Sequence, residues 1–237
     1  MASAPRISVV IPAYNEEGRL PETVERVREF LDERGDSYEL ILVDDGSSDG
    51  TLELMRSVAD GRSQVKVITL GQNRGKGRAV VTGMQAATGD LVLFSDADLS
   101  TPIEEVAKLE AAVGEGADVA VASRALHDSQ IEVSQPAMRV LMGKVFNLLV
   151  QGMLLVPGVW DTQCGFKLVR GRVVHELLQD FRTDGFAFDV EMLHRARRLH
   201  LKIAEVPVRW RHSAPTKVAW RHPLLMFMDL VRIRLGR

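Results

Sequence analysis

The stretch LVLFSDADLSTP, residues 91–102, carries an apolar run into a serine and then into two aspartates, Asp96 and Asp98, with one alanine between them. The apolar run predicts a buried strand. Residues i and i+2 of an extended segment point to the same side, so the two carboxylates repel each other unless a cation or protons offset their charge. Mg²⁺ or Mn²⁺ suits such a pair, because these ions prefer oxygen ligands and leave positions open for substrate phosphates. Alternatively, Ser100 caps a helix that begins at Pro102, and both aspartates are hydrated.

Short apolar runs alternate with helical patterns through the first half of the chain. Strands are predicted at 7–12, 38–47, 65–70, 90–95 and 118–123, and helices from residue 21, over 49–59 with Asp49 as the candidate N-cap, over 75–87 and over 102–113. This order predicts an α/β fold with a mainly parallel sheet and helices on both faces. In such sheets ligands bind beyond the carboxyl ends of the strands.

Polar side chains follow each of the five predicted strands, so we expect them to lie along one edge of the sheet. They are Tyr14, Asn15 and Glu16; Asp44 and Asp45; Asn73, Arg74 and Lys76; Asp96 and Asp98; and Ser123 and Arg124. Two of these segments have simpler interpretations. VDDGSSDGT (43–51) is also typical of a plain turn, and GQNRGKGRAV (71–80) is not a Walker A sequence and equally fits a glycine turn before a helix.

The alternation stops after residue 130. Amphipathic helical patterns cover 135–156, 186–199 and 222–235, and strands are predicted at 165–170 and 202–210. Asp189 and Glu191 are candidate general bases, or alternatively acids that favour the first turn of a helix.

The gross composition excludes several classes of protein. The chain has 237 residues and a formal net charge of -2, so no overall positive field indicates nucleic acid. Its one cysteine, Cys164, rules out an intrachain disulfide and a cysteine-rich zinc site. The first residues lack the apolar core of a signal peptide, and the apolar region 137–160 is interrupted by charged residues, so we expect neither a cleaved leader nor a membrane span.

The motifs VVIPAYNEE, ILVDDGSSDGT, NRGKGRAV and FSDADLSTP occur in this order and together resemble the family 2 inverting glycosyltransferases of the GT-A fold. DTQCGFKLVR (161–170), followed by FAFDVEML (186–193), is similar to the dolichyl- or polyprenyl-phosphate β-glucosyltransferases, with the corresponding mannosyltransferases as close relatives. The resemblance covers nearly the whole chain. It implies one GT-A domain over 1–237, with a nucleotide-sugar-binding half (1–130) and an acceptor half (131–237).

The resemblance also implies roles for individual residues. The donor nucleotide sugar would be held by Pro12, Tyr14, Glu16, Asp44, Lys76 and Asp96, and the metal by Asp96 and Asp98. The catalytic residues would be Asp98, Asp189 and Arg124. The acceptor phosphate would be positioned by Arg139, Gln163, Arg211 and Lys217, with Arg124 as a further cation.

The implied reaction transfers a hexose, with glucose from UDP-glucose favoured, onto a polyprenyl or dolichyl phosphate with inversion. Three alternatives stay open: a GDP-mannose-dependent enzyme, a transferase with a soluble hydroxyl acceptor and Asp189 as base, and a non-catalytic nucleotide-sugar-binding module. A lipid acceptor implies contact with a membrane surface. The helical stretch 135–156 and the C-terminal segment are candidates for it, core packing or a dimer interface being the alternatives. We therefore expect a cytoplasmic protein, peripheral at the inner face of the membrane and without the N-terminal anchor of the eukaryotic enzymes.

Overall fold

A computed structural model describes residues 4–134, 137–153, 155–213 and 222–236. The order of the seven strands in the central sheet is β3-β2-β1-β4-β7-β5-β8. Their bounds are Ile7–Ala13 (β1), Tyr38–Asp44 (β2), Val65–Thr69 (β3), Leu91–Ser95 (β4), Val119–Ser123 (β5), Phe166–Arg170 (β7) and Ile203–Pro207 (β8). Two further strands, β6 (Gln130–Val133) and β9 (Arg209–Arg211), pair with each other in a separate small sheet.

In the part of the chain that the structure describes, eight α-helices connect and cover these strands. They are α1 (Leu20–Arg34), α2 (Thr51–Ala59), α3 (Lys76–Ala86), α4 (Val106–Gly114), α5 (Ala137–Gly152), α6 (Gly171–Leu178), α7 (Phe188–Arg198) and α8 (His222–Leu235). A short 3₁₀ turn, Ile103–Glu105, precedes α4. None of the helices in the described part of the chain is long and apolar enough to cross a membrane.

The predicted α/β fold with a mainly parallel sheet is confirmed. Strands β1 to β4 are parallel, with Ala13 of β1 opposite Asp44 of β2, and β5 pairs in parallel with β8. The exception is β7, which lies antiparallel between β4 and β5 and sets Lys167 opposite Phe94. The carboxyl ends of β1, β2, β4 and β5 therefore lie at one edge of the sheet, where such folds bind ligands.

Both faces of the sheet are buried, because alternate residues of each strand pack into two separate cores. Val10 of β1 and Phe94 of β4 belong to the core beneath α3, α6 and α7, whereas Ile11 and Leu93 belong to the core beneath α1 and α4. Burying one such side chain stabilises the fold by about 1.5–3 kcal/mol. Helix α3 approaches closely at Gly83, where an added Cβ would lie 2.4 Å from the Val10 side chain.

Several predicted boundaries were wrong in informative ways. The N-cap of α2 is Gly50, not Asp49, whose carboxylate instead accepts the Thr51 amide at 3.0 Å. Ser100 caps no helix, since α4 begins only at Val106. The sequence patterns also missed α6 and β6, which are short.

Candidate active site

The aspartate pair of the 91–102 segment lies at the tip of β4, where the chain turns sharply. The Leu99 amide bonds to the Asp96 carbonyl at 3.2 Å, and the Ser100 amide donates to the Asp98 carboxylate at 2.9 Å. Leu99 has φ 44°, a left-handed conformation that a leucine rarely adopts. This turn keeps both carboxylates beside the end of the strand, so the structure brings the two predicted metal ligands together.

The backbone of Gly165 supports the Asp96 carboxylate. The Asp96 amide donates to the Gly165 carbonyl at 3.0 Å, and a Cβ on Gly165 would lie only 2.0 Å from Oδ2 of Asp96. Only a glycine allows this carboxylate its observed position.

Lys76 supplies the cation nearest to the pair. Its Nζ lies 2.7 Å from Oδ1 of Asp96, and the rings of Phe94 and Phe188 lie 5.6 Å and 6.0 Å from the same nitrogen. Burial would by itself lower the pKa of Lys76, but Asp96, Asp189 and Asp98 together raise it. The Lys76 side chain is therefore a cation whose charge is fixed by its acidic surroundings.

The surroundings of Asp98 disfavour the charged form of its carboxylate. Burial raises its pKa, and the neighbouring Asp96 carboxylate raises it further. A cation bound between the two carboxylates would offset this effect by favouring their charged forms.

Asp189 lies in the first turn of α7, beside a lysine that the sequence analysis did not single out. Lys167 is fully buried on β7, and its ammonium lies 2.5 Å from the Asp189 carboxylate and 2.6 Å from the Cys164 carbonyl. Burial raises the pKa of Asp189, while Lys167 and Lys76 oppose that shift. A carboxylate held in such an ion pair is suited to positioning its neighbours. The sequence does contain a signal for Lys167, because this lysine sits within the apolar run GFKLVR.

Asp44 and Asp45 close β2 and organise the loops around them. The Asp44 carboxylate accepts hydrogen bonds from the Ser47 amide and the Thr69 hydroxyl, each at 3.0 Å. Asp45 accepts from the Arg74 amide at 2.7 Å, which ties down the glycine-rich loop before α3. Burial raises the pKa of Asp45. Asp44 thus lies at the predicted edge, in a fixed orientation.

The loop after β1 lies beside the start of α2. Pro12 is buried within β1 opposite Val43 of β2. Tyr14 and Glu16 are partly buried, and the Glu16 amide donates to the Thr51 hydroxyl at 2.8 Å.

Arg124, at the end of β5, forms a bidentate pair with Asp161, a residue to which we had given no role. The Nε–Oδ2 and Nη2–Oδ1 distances are 2.7 Å and 2.8 Å, and the guanidinium lies 5.4 Å from the Trp210 ring centre. Burial alone would raise the pKa of Asp161, but Arg124 lowers it below its ordinary value. The guanidinium is held in place by this pair, which is what a residue facing phosphates requires.

The structure describes two of the four residues predicted to position the acceptor phosphate, Gln163 and Arg211. The Gln163 side chain donates to the Phe186 carbonyl at 3.0 Å, and Arg211 is exposed on β9, with its amide bonded to the Ser100 carbonyl at 2.8 Å. Arg211 is thereby linked to the loop that follows Asp98. Lys217 and the side chain of Arg139 lie outside the described residues.

The donor set at the β4 tip fits a hard divalent cation. Two carboxylates share the site, and the pKa of one is raised by the other. Within the ranges that the structure describes, no group of three or more His, Cys, Asp or Glu side chains could hold a metal ion. The protein would thus supply two oxygen ligands and leave the remaining positions to a phosphate-bearing ligand and water.

Comparison with known proteins gives consistent matches. The model of the family described as Glycosyl transferase family 2 matches residues 8–178. The chain is 36% identical to a dolichyl-phosphate beta-glucosyltransferase of Dictyostelium discoideum, over 96% of this chain and 73% of that protein. A protein of the same name from Drosophila melanogaster is 38% identical, over 97% of this chain and 76% of that protein.

The solved structures that match share the fold. The glucosyl-3-phosphoglycerate synthase of Mycobacterium tuberculosis superposes with a TM-score of 0.70 and 24% sequence identity, over 98% of this chain and 79% of that one. That protein was crystallised in complex with Mn²⁺, uridine diphosphate and glucosyl-3-phosphoglycerate.

Proposed function

Because the chain belongs to glycosyl transferase family 2, we propose that it transfers glucose from UDP-glucose to a polyprenyl or dolichyl phosphate. The chain is a glycosyltransferase, and the resemblance of its motifs to this family is confirmed. The specific substrates are supported by the names of relatives that are 36% and 38% identical over nearly the whole chain, since those names state both the sugar and the lipid phosphate.

One observation carries this proposal. The Asp96 and Asp98 carboxylates lie together at the tip of β4, with the Lys76 ammonium 2.7 Å from Asp96. This is a site in which a diphosphate would meet both a metal ion and a lysine. In the proposed complex, Pro12, Tyr14, Glu16 and Asp44 hold the nucleoside. Lys76 and Asp96 complete the donor site at the diphosphate.

The two carboxylates would hold Mg²⁺ or Mn²⁺. When bound there, the ion would neutralise negative charge that develops on the leaving diphosphate. The protein's own contribution is to fix the two carboxylates, through the turn at Leu99 and the close approach of Gly165. Lys76 contributes a further positive charge next to the same diphosphate.

A phosphate acceptor needs no general base. Its second pKa is about 6, so near neutral pH an anionic oxygen is already available to attack the anomeric carbon. A bond forms between that oxygen and the carbon while the bond from the carbon to the diphosphate breaks, which inverts the anomeric configuration. Asp189 is therefore assigned a positioning role, in agreement with its ion pair to the buried Lys167.

Cations position the acceptor phosphate in this proposal. Arg124 is held by Asp161 at the end of β5, and Arg211 is linked to the loop after Asp98. Gln163 and the two residues without a described side chain, Arg139 and Lys217, complete the proposed acceptor side. In this arrangement the half 1–130 binds the donor, and the half 131–237 binds the acceptor, within one domain.

A lipid acceptor requires a surface that reaches the membrane. Helix α5 exposes apolar side chains along much of its length: Met138, Val140, Leu141, Met142, Val145, Leu148 and Leu149 are between 38% and 71% exposed. On α8, Phe227, Met228, Val231 and Leu235 are also exposed. Core packing within the described ranges of the chain therefore does not account for these side chains. We propose that both helices lie in the headgroup region, with the protein peripheral at the cytoplasmic face.

A donor screen tests the assignment. Purified protein is incubated with polyprenyl phosphate, Mg²⁺ or Mn²⁺, and either UDP-glucose or GDP-mannose, and the lipid products are identified by mass spectrometry. A glucosylated lipid phosphate from UDP-glucose is the expected result. Product formed only from GDP-mannose would mean that the enzyme transfers mannose and not glucose. Transfer only to soluble alcohols would mean that the acceptor is a hydroxyl group and not a lipid phosphate. In that case Asp189→Asn should abolish turnover but keep donor binding, and Asp189 would be the general base.

A further inference from the structure

A cation of the protein itself lies against the proposed metal ligand Asp96. Lys76 Nζ is 2.7 Å from Oδ1 of Asp96, a buried oxygen with no second polar partner within the part of the chain that the structure describes. The Lys76 ammonium is therefore the group that pairs with this carboxylate oxygen. A divalent ion on the same carboxylate would lie close to the ammonium, and the two positive charges would repel each other.

The two lysines at this site differ in freedom. Lys167 is fully buried and held between Asp189 and the Cys164 carbonyl. Lys76 is the first residue of α3, and its side chain is 26% exposed. Its charge is carried on a flexible four-carbon chain that can change partners. Of these two lysines, Lys76 is thus the one suited to move when a ligand binds.

From this we infer that Lys76 is a stand-in cation, which pairs with Asp96 before the divalent ion binds and transfers to the donor diphosphate when it does. The inference rests on the proposed function, because it requires both a metal ion and a nucleotide diphosphate at the site. Its consequence concerns binding. A metal ion alone must displace Lys76 and binds weakly, whereas a diphosphate offers Lys76 a second partner and so assists metal binding beyond its own coordination.

Competition between Lys76 and a metal ion for Asp96 is measured through the affinity for Mn²⁺. Binding is followed by the loss of the electron paramagnetic resonance signal of the free ion. Titrations with and without UDP are compared for the wild-type protein and Lys76→Met. Without UDP, Lys76→Met is expected to bind Mn²⁺ about tenfold more tightly than wild type, since its competitor has been removed. The factor by which UDP strengthens Mn²⁺ binding is expected to shrink by about the same amount.

Two lysine variants serve as controls. Lys76→Arg keeps the positive charge and is expected to resemble wild type. Lys66→Met removes an ammonium that lies 2.5 Å from Glu39, near the other end of the parallel strands, and should leave Mn²⁺ binding unchanged. Should Lys76→Met fail to fold, as judged by its thermal melt, Lys76→Gln provides the same neutral substitution.

The possible failures are distinguishable. If Lys76→Met binds Mn²⁺ no more tightly than wild type without UDP, Lys76 is no stand-in, and the proposed function is unaffected. If wild type binds neither Mn²⁺ nor UDP, or if Asp96→Asn binds Mn²⁺ as well as wild type, the metal site itself is wrong, and both proposals fall together.

Discussion

The ammonium of Lys167 lies 2.5 Å from the carboxylate of Asp189, and the two side chains are only 0% and 4% exposed. The pair joins β7, the one antiparallel strand of the central sheet, to the first turn of α7. Removing one partner of such a buried pair leaves the other charge unpaired away from water, which costs far more than the pair itself contributes.

We therefore expect Lys167→Met to lower the free energy of unfolding by about 3–5 kcal/mol, measured by urea denaturation. The double variant Lys167→Met, Asp189→Asn should lose less than the sum of the two single changes, because no unpaired charge remains. Arg26→Met is the control: its side chain and that of its partner Glu104 are 54% and 37% exposed, and we expect a loss within about 1 kcal/mol. A loss of that small size in Lys167→Met would mean that the pair is not buried as described.

Gly165→Ala tests the support of the metal ligand. The added Cβ would lie 2.0 Å from the Asp96 carboxylate, so the carboxylate must move. Since a displacement of about 1 Å can cost on the order of a hundredfold in rate, we expect turnover to fall by that order while the fold remains. Turnover is followed by product formation and the fold by the thermal melt.

Gly114→Ala is the matched control, because an added Cβ at this end of α4 meets no atom within 4 Å. It should keep wild-type turnover and stability. Full activity in Gly165→Ala would show that the position of the Asp96 carboxylate does not limit the reaction.

The pair of Arg124 and Asp161 makes stability depend on pH. Arg124 lowers the pKa of Asp161, so the unfolded chain binds more protons than the folded one between the folded pKa and the ordinary value of about 3.9. The pair's contribution is complete above about pH 4 and is lost as the pH falls through the folded pKa. Asp161→Asn should cost about 2–3 kcal/mol at neutral pH, and the difference from wild type should shrink on acidification.

Urea denaturation at several pH values between about 3 and 7 measures this difference. Asp128→Asn, at an exposed position, is expected to follow wild type throughout. A cost of Asp161→Asn that stays constant down to the lowest pH would mean that the charge on Asp161 contributes no stability.

The parallel part of the fold was predictable because its information is local. Each strand from β1 to β5 is a short apolar run closed by polar residues, and the observed bounds differ from the predicted ones by three residues or fewer. The antiparallel direction of β7 was not predictable, because it depends on how the chain returns to the sheet after residue 130. Helix α6 was missed for a different reason, since it spans only eight residues.

The same distinction applies to the site. The meeting of Lys76 with Asp96 followed from the rule that ligands bind beyond the carboxyl ends of parallel strands. Lys167 and Asp161 were missed because their partners lie 22 and 37 residues away along the chain. No spacing pattern in one sequence encodes such pairs.

The exposed face of α5 leads to the last prediction, which concerns the membrane. Leu141 and Leu148 are 56% and 71% exposed, and transfer of apolar surface out of water contributes about 25 cal/mol per Å². The double change Leu141→Gln, Leu148→Gln should therefore weaken binding to vesicles by tenfold or more. Binding is measured by sedimentation with vesicles of phosphatidylcholine, with and without an anionic lipid. Val133→Gln, which alters an exposed apolar residue on β6, should have a smaller effect.

Trp160, in the loop that follows α5, provides a second test of membrane contact. Its side chain is 58% exposed, whereas Trp210 is buried. The side-chain amide of Gln151 on α5 donates hydrogen bonds to the Val156 and Val159 carbonyls of this loop. Because the chain also contains Trp220, outside the described residues, the measurement uses a Trp220→Phe protein. Insertion of Trp160 among headgroups should shift its fluorescence to shorter wavelength on vesicle addition, and the further change Trp160→Phe should remove most of that shift. The rival occupant of this face is a second copy of the chain. Light scattering would then show a dimer that the double glutamine change dissociates, with vesicle binding unaltered, and the membrane assignment of α5 would be wrong.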